Sequence, residues 1–356
     1  MIRIGLLGCG RIGEVHARSL SRLPGAQLTA VADAMPEAAD RLAGQFGAEA
    51  RSAEAVIGAD DVDAVIIGTP PTAHFDQIHA AATAGKAIFC EKPIDLSSDR
   101  VRACIEAVEA AGVPFMTAFN RRFDPHFATL ERRLRAGAIG EIELVMITSR
   151  DPAPPPIGYI QNSGGLFRDM TIHDLDMARF LLDEEPVEIF ATGSCLVDPA
   201  IGVAGDIDTA AVPLRTASGR ICQISNSRRA TYGYDQRIEV HGAAGMLSAA
   251  NVAENLVEQR GDGALARARM ARDEHEFARV DVEHEVGERL VAARVAFADV
   301  IEADHASPPS SAFAKPSASN GCMSSSCSPM PMKRTGMPSV STMARITPPL
   351  ALPRVV

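Results

Sequence analysis

Two short stretches carry residue types suited to moving a proton and a hydride. Glu91-Lys92-Pro93 follows the apolar run at 87–90, so it stands where a buried strand is expected to end. In an open parallel sheet that carboxyl edge is where ligands bind. A lysine there can hold a substrate oxygen by a charge-assisted hydrogen bond, although taken alone a surface lysine is the commoner reading. The second stretch is Phe167-Arg168-Asp169-Met170-Thr171-Ile172-His173-Asp174-Leu175-Asp176. On a helix, Asp169, His173, Asp176 and Phe180 fall within about a third of the circumference. A carboxylate one turn from an imidazole can orient it and help it hold a proton. A helix-surface ion pair competes with that reading. A metal pair is weaker, because no third Cys or His has suitable spacing, and no metal is expected.

A hydride needs an acceptor, and the chain offers a place for one. Gly8-Cys9-Gly10-Arg11-Ile12-Gly13 satisfies G-x-G-x-x-G directly after the apolar run at 2–7. Gly8 permits the tight turn, Gly10 admits a pyrophosphate against the backbone, and Gly13 lets helix and strand pack closely. The free N–H groups at the helix start then face the phosphates. Asp33 lies 20 residues beyond Gly13, at the end of a second apolar run. An acidic group there accepts ribose hydroxyls and repels a 2′-phosphate, and Ala34 and Met35 bring no cation, so NAD is favoured over NADP. A solvated loop aspartate is the alternative.

These groups need a scaffold, and the pattern supplies one. Strands are expected at 2–7, 28–32, 62–67, 87–90 and 114–118, alternating with helices at 12–23, 36–46, about 71–84 and 97–111. That alternation predicts a doubly wound parallel sheet of the Rossmann type over residues 1–120. From residue 121 to 306 the pattern changes to a C-terminal α+β domain with a mostly antiparallel sheet. Helices are expected at 125–135 and 165–182, and strands at 139–149, 187–196, 209–216, 220–225 and 236–241, with a Pro-rich loop at 151–158 and a hairpin turn at Ser218-Gly219. Residues 307–356 hold no Asp or Glu, five basic residues and no helix or strand period. They read either as a disordered extension or as the product of an altered reading frame.

A formal charge of −10 disfavours nucleic acid and anionic membranes as partners. No signal peptide and no apolar run of membrane-spanning length is read. The seven cysteines are scattered without C-x-x-C, which fits a reducing cytoplasm.

With these residues in view the chain strongly resembles the Gfo/Idh/MocA oxidoreductase family. The match rests on the glycine motif, Glu91-Lys92-Pro93, Phe119-Asn120-Arg121-Arg122-Phe123-Asp124 and the Asp169 to His173 segment, and it runs from residue 1 to about 250. Gly164-Gly165-Leu166-Phe167-Arg168-Asp169-Met170-Thr171-Ile172-His173-Asp174 and Tyr232-Gly233-Tyr234-Asp235-Gln236-Arg237 look most like the inositol 2-dehydrogenase branch. The resemblance implies oxidation of a cyclic polyol with NAD, with His173 as general base, Lys92 stabilising the alkoxide, and Asp169 binding a neighbouring hydroxyl while holding His173. It implies Thr69, Pro70 and His74 bordering the nicotinamide and its ribose, and Glu91 on the cofactor side. Arg121 or Arg122, Asp151, Tyr159 and Tyr234 are its candidates for the remaining hydroxyls. Tyr234 is equally readable as a sheet-packing residue. A cis Lys92-Pro93 bond and a homo-oligomer, commonly a tetramer, are implied too. Another sugar or polyol as substrate, or a non-catalytic NAD-binding regulator, are the rival readings. Residues 293–301 resemble the helix before the family's closing segment. Beyond Asp304 that closing pattern is absent, and 261–287 match poorly.

Overall fold

The computed structural model describes residues 1–251 and the strand at 340–345. In the N-terminal half, β1 (Ile2–Leu7), α1 (Arg11–Leu20), β2 (Ala26–Ala32), α2 (Pro36–Phe46), β3 (Glu49–Ala50), α3 (Ala53–Gly58), β4 (Ala64–Ile67), α4 (Pro71–Thr83), β5 (Ala87–Cys90), α5 (Ser98–Ala111) and β6 (Phe115–Thr117) follow one another. The sheet order is β3-β2-β1-β4-β5-β6, with every pairing parallel. The order reverses direction between β1 and β4. That is the topological switch point of a doubly wound sheet, where a crevice opens at the carboxyl ends.

Both sheet faces are covered, as a parallel sheet requires. Leu6, Ala17, Leu20, Leu28, Val31, Leu42 and Ala43 form the core under α1 and α2. Leu7, Val65, Ile67, Ile78, Ala81, Ile88, Cys104 and Val108 form the opposite core under α4 and α5. The two cores follow from the unbroken apolar runs of the strands, which have no solvent face.

The second half contains α6 (Pro125–Arg135), β7 (Ile142–Arg150), α7 (Ile157–Ser163), a π-helical turn (Phe167–Thr171), α8 (Ile172–Leu182), β8 (Pro186–Ser194), α9 (Pro199–Val203), β9 (Thr209–Thr216), β10 (Ile221–Ser227), β11 (Asp235–Gly242), β12 (Gly245–Ala249) and β13 (Val340–Arg345). The sheet order is β12-β11-β7-β10-β9-β8-β13, and only β7 and β10 pair in parallel. Alternate residues of β7, Val145, Ile147 and Ser149, point to the buried face. Phe127, Leu130, Leu134, Met177, Leu181 and Leu182 from α6 and α8 pack on that face. The two-layer α+β arrangement thus matches the expected pattern.

Three expectations change. Residues 165–182 are not one α-helix, because a π turn precedes α8. Such a turn inserts a residue into the helical ladder and is frequent at functional sites. The Pro-rich loop ends two residues early, at Pro156, where α7 begins, a position proline tolerates because it lacks an N–H. The tail is not wholly without strand: Val340–Arg345 pairs antiparallel with β8. Ladder bonds use main chain, so an open edge can accept a strand whose side chains show no alternation. The expected helix at 293–301 lies outside the described residues, as does the rest of 307–356.

Candidate active site

The glycine turn between β1 and α1 is shaped by what it excludes. Gly8 has φ of 97°, and a methyl there would stand 2.6 Å from the Gly68 carbonyl group. A methyl on Gly13 would overlap the Gly8 carbonyl oxygen, whereas Gly10 opens onto free space. Gly10 caps α1 with no side-chain hydrogen bond, so the first N–H groups of α1 face outward for an anion. Arg11 and Ile12 begin that helix. Asp33 directly follows β2, its carboxylate fixed by two main-chain donors, Cys9 N at 2.6 Å and Met35 N at 2.9 Å. Each oxygen keeps a lone pair for a ribose hydroxyl. This turn, helix start and carboxylate fit NAD. One neighbour escaped the sequence reading: Arg41 of α2 lies 3.4 Å from the Cys9 carbonyl oxygen.

The loops after β4 and β5 meet at His74. It is fully buried, and its two ring nitrogens lie 2.7 Å from Thr69 O and 2.8 Å from Pro93 O. His74 thus stands at the loops expected to border the nicotinamide with both ring nitrogens on main-chain oxygens. The ring braces two loops from behind, because the α4 position that carries it faces the sheet. The Thr69 hydroxyl donates to Gln77 at 2.6 Å, and Pro70 stands just ahead of α4. Glu91 lies 2.8 Å from His16 Nε2 of α1, a partner that 75 residues of separation hide from sequence inspection. The Lys92-Pro93 bond is cis.

Lys92 Nζ crosses to the second domain. It donates to the Asp169 carbonyl oxygen at 2.8 Å and to Asp169 Oδ1 at 3.2 Å. Tyr159 OH donates to the same Oδ1 at 2.8 Å, and Arg228 Nη1 to Oδ2 at 3.3 Å. Burial would push the Asp169 carboxyl up, but Lys92, the Tyr159 hydroxyl and Arg228 outweigh it and hold it below the usual range. His173 sits at the start of α8 with its ring edge-on to Phe119, centroids 6.2 Å apart. Its Nδ1 is buried and finds no hydrogen-bond partner among the described residues. Burial, with Lys92 and Arg121 adding positive charge nearby, pushes the imidazole well below its ordinary value. At neutral pH it is an uncharged acceptor of protons.

The expected Asp169–His173 hydrogen bond is absent among the described residues. The reason is competition: two cations and a phenol hydroxyl take the Asp169 oxygens.

The remaining candidates divide. Arg122 is committed elsewhere, in a bidentate pair with Asp176 at 2.8 and 2.6 Å and over the Phe180 ring at 4.9 Å. Arg121 pairs with the fully buried Asp174 and donates to Ser149 Oγ at 3.0 Å. With the Gln236 amide oxygen turned toward it, Arg121 Nη2 lies 2.7 Å away, and Tyr234 OH meets the same amide. Burial pushes the Asp151 carboxyl up, against the pull of Arg228. Tyr159 and Asp151 thus lie by Asp169, Arg121 by His173 and Tyr234 by Arg121, while Arg122 is turned to Asp176. Sequence reasoning missed Arg228, Asp174, Asn226 and Ser149. Asp174 accepts from Ser149 Oγ at 2.6 Å and Asn226 Nδ2 at 2.7 Å, partners supplied only when β7 and β10 pair.

A parallel nucleotide-binding sheet, a glycine turn against a helix start, and a lysine meeting a carboxylate beside a neutral imidazole define an NAD-binding, two-domain oxidoreductase. Residues 2–119 match the oxidoreductase family with an NAD-binding Rossmann fold, and 127–248 match the GFO/IDH/MocA C-terminal domain. The chain belongs to the Gfo/Idh/MocA oxidoreductase family. It is 57% identical to an inositol 2-dehydrogenase of Rhizobium meliloti (strain 1021) over 263 residues, which are 74% of this chain and 80% of that protein. Among solved structures, a myo-inositol dehydrogenase from Corynebacterium glutamicum superposes with TM-score 0.72 at 42% identity, covering 78% of this chain and 85% of that one. A scyllo-inositol dehydrogenase from Lactobacillus casei, with bound NAD(H) and scyllo-inositol, gives TM-score 0.67 at 32% identity, covering 72% and 78%. No helix among the described residues is long and apolar enough to cross a membrane.

Proposed function

We propose that this chain oxidises a secondary hydroxyl of a cyclic polyol, with myo-inositol going to 2-keto-myo-inositol. The observation that carries the reading is the meeting of Lys92 with Asp169 within electrostatic reach of the uncharged His173. NAD, when bound, supplies the hydride acceptor. His173 takes the hydroxyl proton as the carbon–hydrogen bond breaks, a role that needs an unprotonated imidazole. Lys92 donates to the same oxygen and stabilises the negative charge that develops on it. Asp169 accepts from a neighbouring hydroxyl. Asp151, Tyr159, Tyr234 and Arg121 offer the donors and acceptors that a ring of hydroxyls requires, and a site that pairs each hydroxyl rejects epimers. In this reading residues 1–120 hold the cofactor and 121–306 the substrate, in a cytoplasmic enzyme.

NADH formation by the purified chain with myo-inositol, scyllo-inositol and glucose tests the reading. Turnover with myo-inositol supports it, and preference for glucose moves the substrate to another sugar. NAD binding without turnover across the panel leaves a regulator in its place.

A further inference from the structure

Arg228 and Arg229 are neighbours in the sequence, directly after Ser227. The structure separates them. Arg229 is exposed, whereas Arg228 is 1% exposed. Arg228 follows β10 and reaches toward the π turn. Its Nη1 donates to Asp169 Oδ2 at 3.3 Å and its Nη2 to Asp206 Oδ2 at 3.4 Å. Its main-chain N donates to Asp208 O at 2.8 Å, which fixes where the side chain starts. Asp206 is itself seated: Oδ1 accepts from Leu166 N at 3.0 Å, and any side chain at Gly165 would stand 2.8 Å from that oxygen. Arg228 is thus wedged between a braced carboxylate and the carboxylate of the candidate site.

We propose that Arg228 is a positioning residue: its buried guanidinium holds Asp169 by Oδ2, so that Oδ1 is presented to Lys92 and Tyr159. The catalytic half of this statement rests on the polyol-oxidising reading; the electrostatic half does not. Stability alone gives little reason for the arrangement, because a buried ion cluster can often be replaced by apolar side chains at no cost. Here the Nε is left without an acceptor among the described residues. The division of oxygens is the informative part. Lys92 and Tyr159 both use Oδ1, and among the described residues Arg228 alone uses Oδ2.

The charged and titratable groups facing Asp169 come from four elements: Lys92 after β5, Tyr159 on α7, Asp151 after β7 and Arg228 after β10. Asp206 stands behind Arg228, and His173 lies one helical turn along its own segment. Of the two cations on Asp169, Arg228 is the one the proposed reaction does not otherwise use.

The test is a titration of Asp169 by carbon NMR in aspartate-labelled protein, with its signal assigned by loss in Asp169→Asn. In Arg228→Met the Asp169 carboxyl should titrate about one pH unit higher, the effect of removing one adjacent opposite charge. Arg228→Lys should restore most of it. In parallel, KM for myo-inositol should rise about tenfold as Asp169 is no longer held in place, while KM for NAD stays at the wild-type value. Thermal unfolding shows whether each variant folds, and Arg228→Gln is read in the same way should the Met variant not fold. A folded neutral variant whose Asp169 titrates at the wild-type pH overturns the proposal. So does a parallel rise in both KM values, which marks a merely structural role. Absence of inositol oxidation by the wild type removes the functional reading alone, since the titration does not depend on turnover.

Discussion

Lys92 Nζ lies 2.8 Å from the main-chain oxygen of Asp169 and 3.2 Å from its carboxylate. The pair joins the end of a parallel strand in one domain to a π turn in the other. Each domain brings half of the charge needed beside an alcohol, and the side that carries the glycine turn brings the cation.

Removing the base isolates chemistry from binding. His173→Ala should abolish NADH formation, a loss of at least about 100-fold, because general-base catalysis contributes about that much or more. NAD affinity, read by calorimetry, should stay at the wild-type value. Near-normal turnover in this variant ends the proton-transfer scheme.

Lys92→Ala should lower kcat by about 100- to 1000-fold, the range for removing one donor from a developing oxyanion. It also leaves Asp169 without its nearer cation, so the Asp169 carboxyl should move up. Steady-state kinetics with saturating NAD reads the first effect. A change in KM alone would assign the lysine to ground-state binding.

The depressed His173 titration has a consequence for stability. An unfolded histidine takes its proton near about pH 6.5, and the folded one only at lower pH. Between those two values the unfolded chain binds more protons, so stability rises with pH through that window and is fully present above it. Thermal midpoints should therefore rise less steeply from acid to neutral pH for His173→Gln than for the wild type. Identical slopes would show that the imidazole is not buried in the folded protein.

Asp33→Ser combined with Ala34→Arg should shift preference from NAD toward NADP. Because Asp33 also accepts from Cys9 N and Met35 N, the double variant should lose about 1–3 kcal/mol of stability by leaving main-chain donors unmatched. Kinetics with both cofactors and a denaturation curve read the two effects. Unchanged discrimination would remove Asp33 from the ribose site.

Much of this was legible in the residues. The parallel sheet follows from apolar runs at 2–7, 62–67 and 87–90, and the glycine motif names its own turn. What local pattern could not show were long-range pairings. His16 with Glu91, Arg121 with Asp174 and Arg228 with Asp169 are separated by 75, 53 and 59 residues. Arg121 and Arg122 are neighbours with the same side chain, and only the positions of Asp174 and Asp176 decide which one stays near His173. The π turn escaped as well, since its residues carry the same apolar period as a regular helix.

The closeness of Gly8 to Gly68 leaves no room for any side chain where β1 and β4 part. At this point the floor of the cofactor crevice is main chain, the same for any dinucleotide laid on it. Choice between dinucleotides has to be made at the rim, by Asp33 and the guanidinium of Arg41 nearby. Retuning the cofactor at Asp33 therefore also releases Cys9 N, the point at which the rim is tied to the turn.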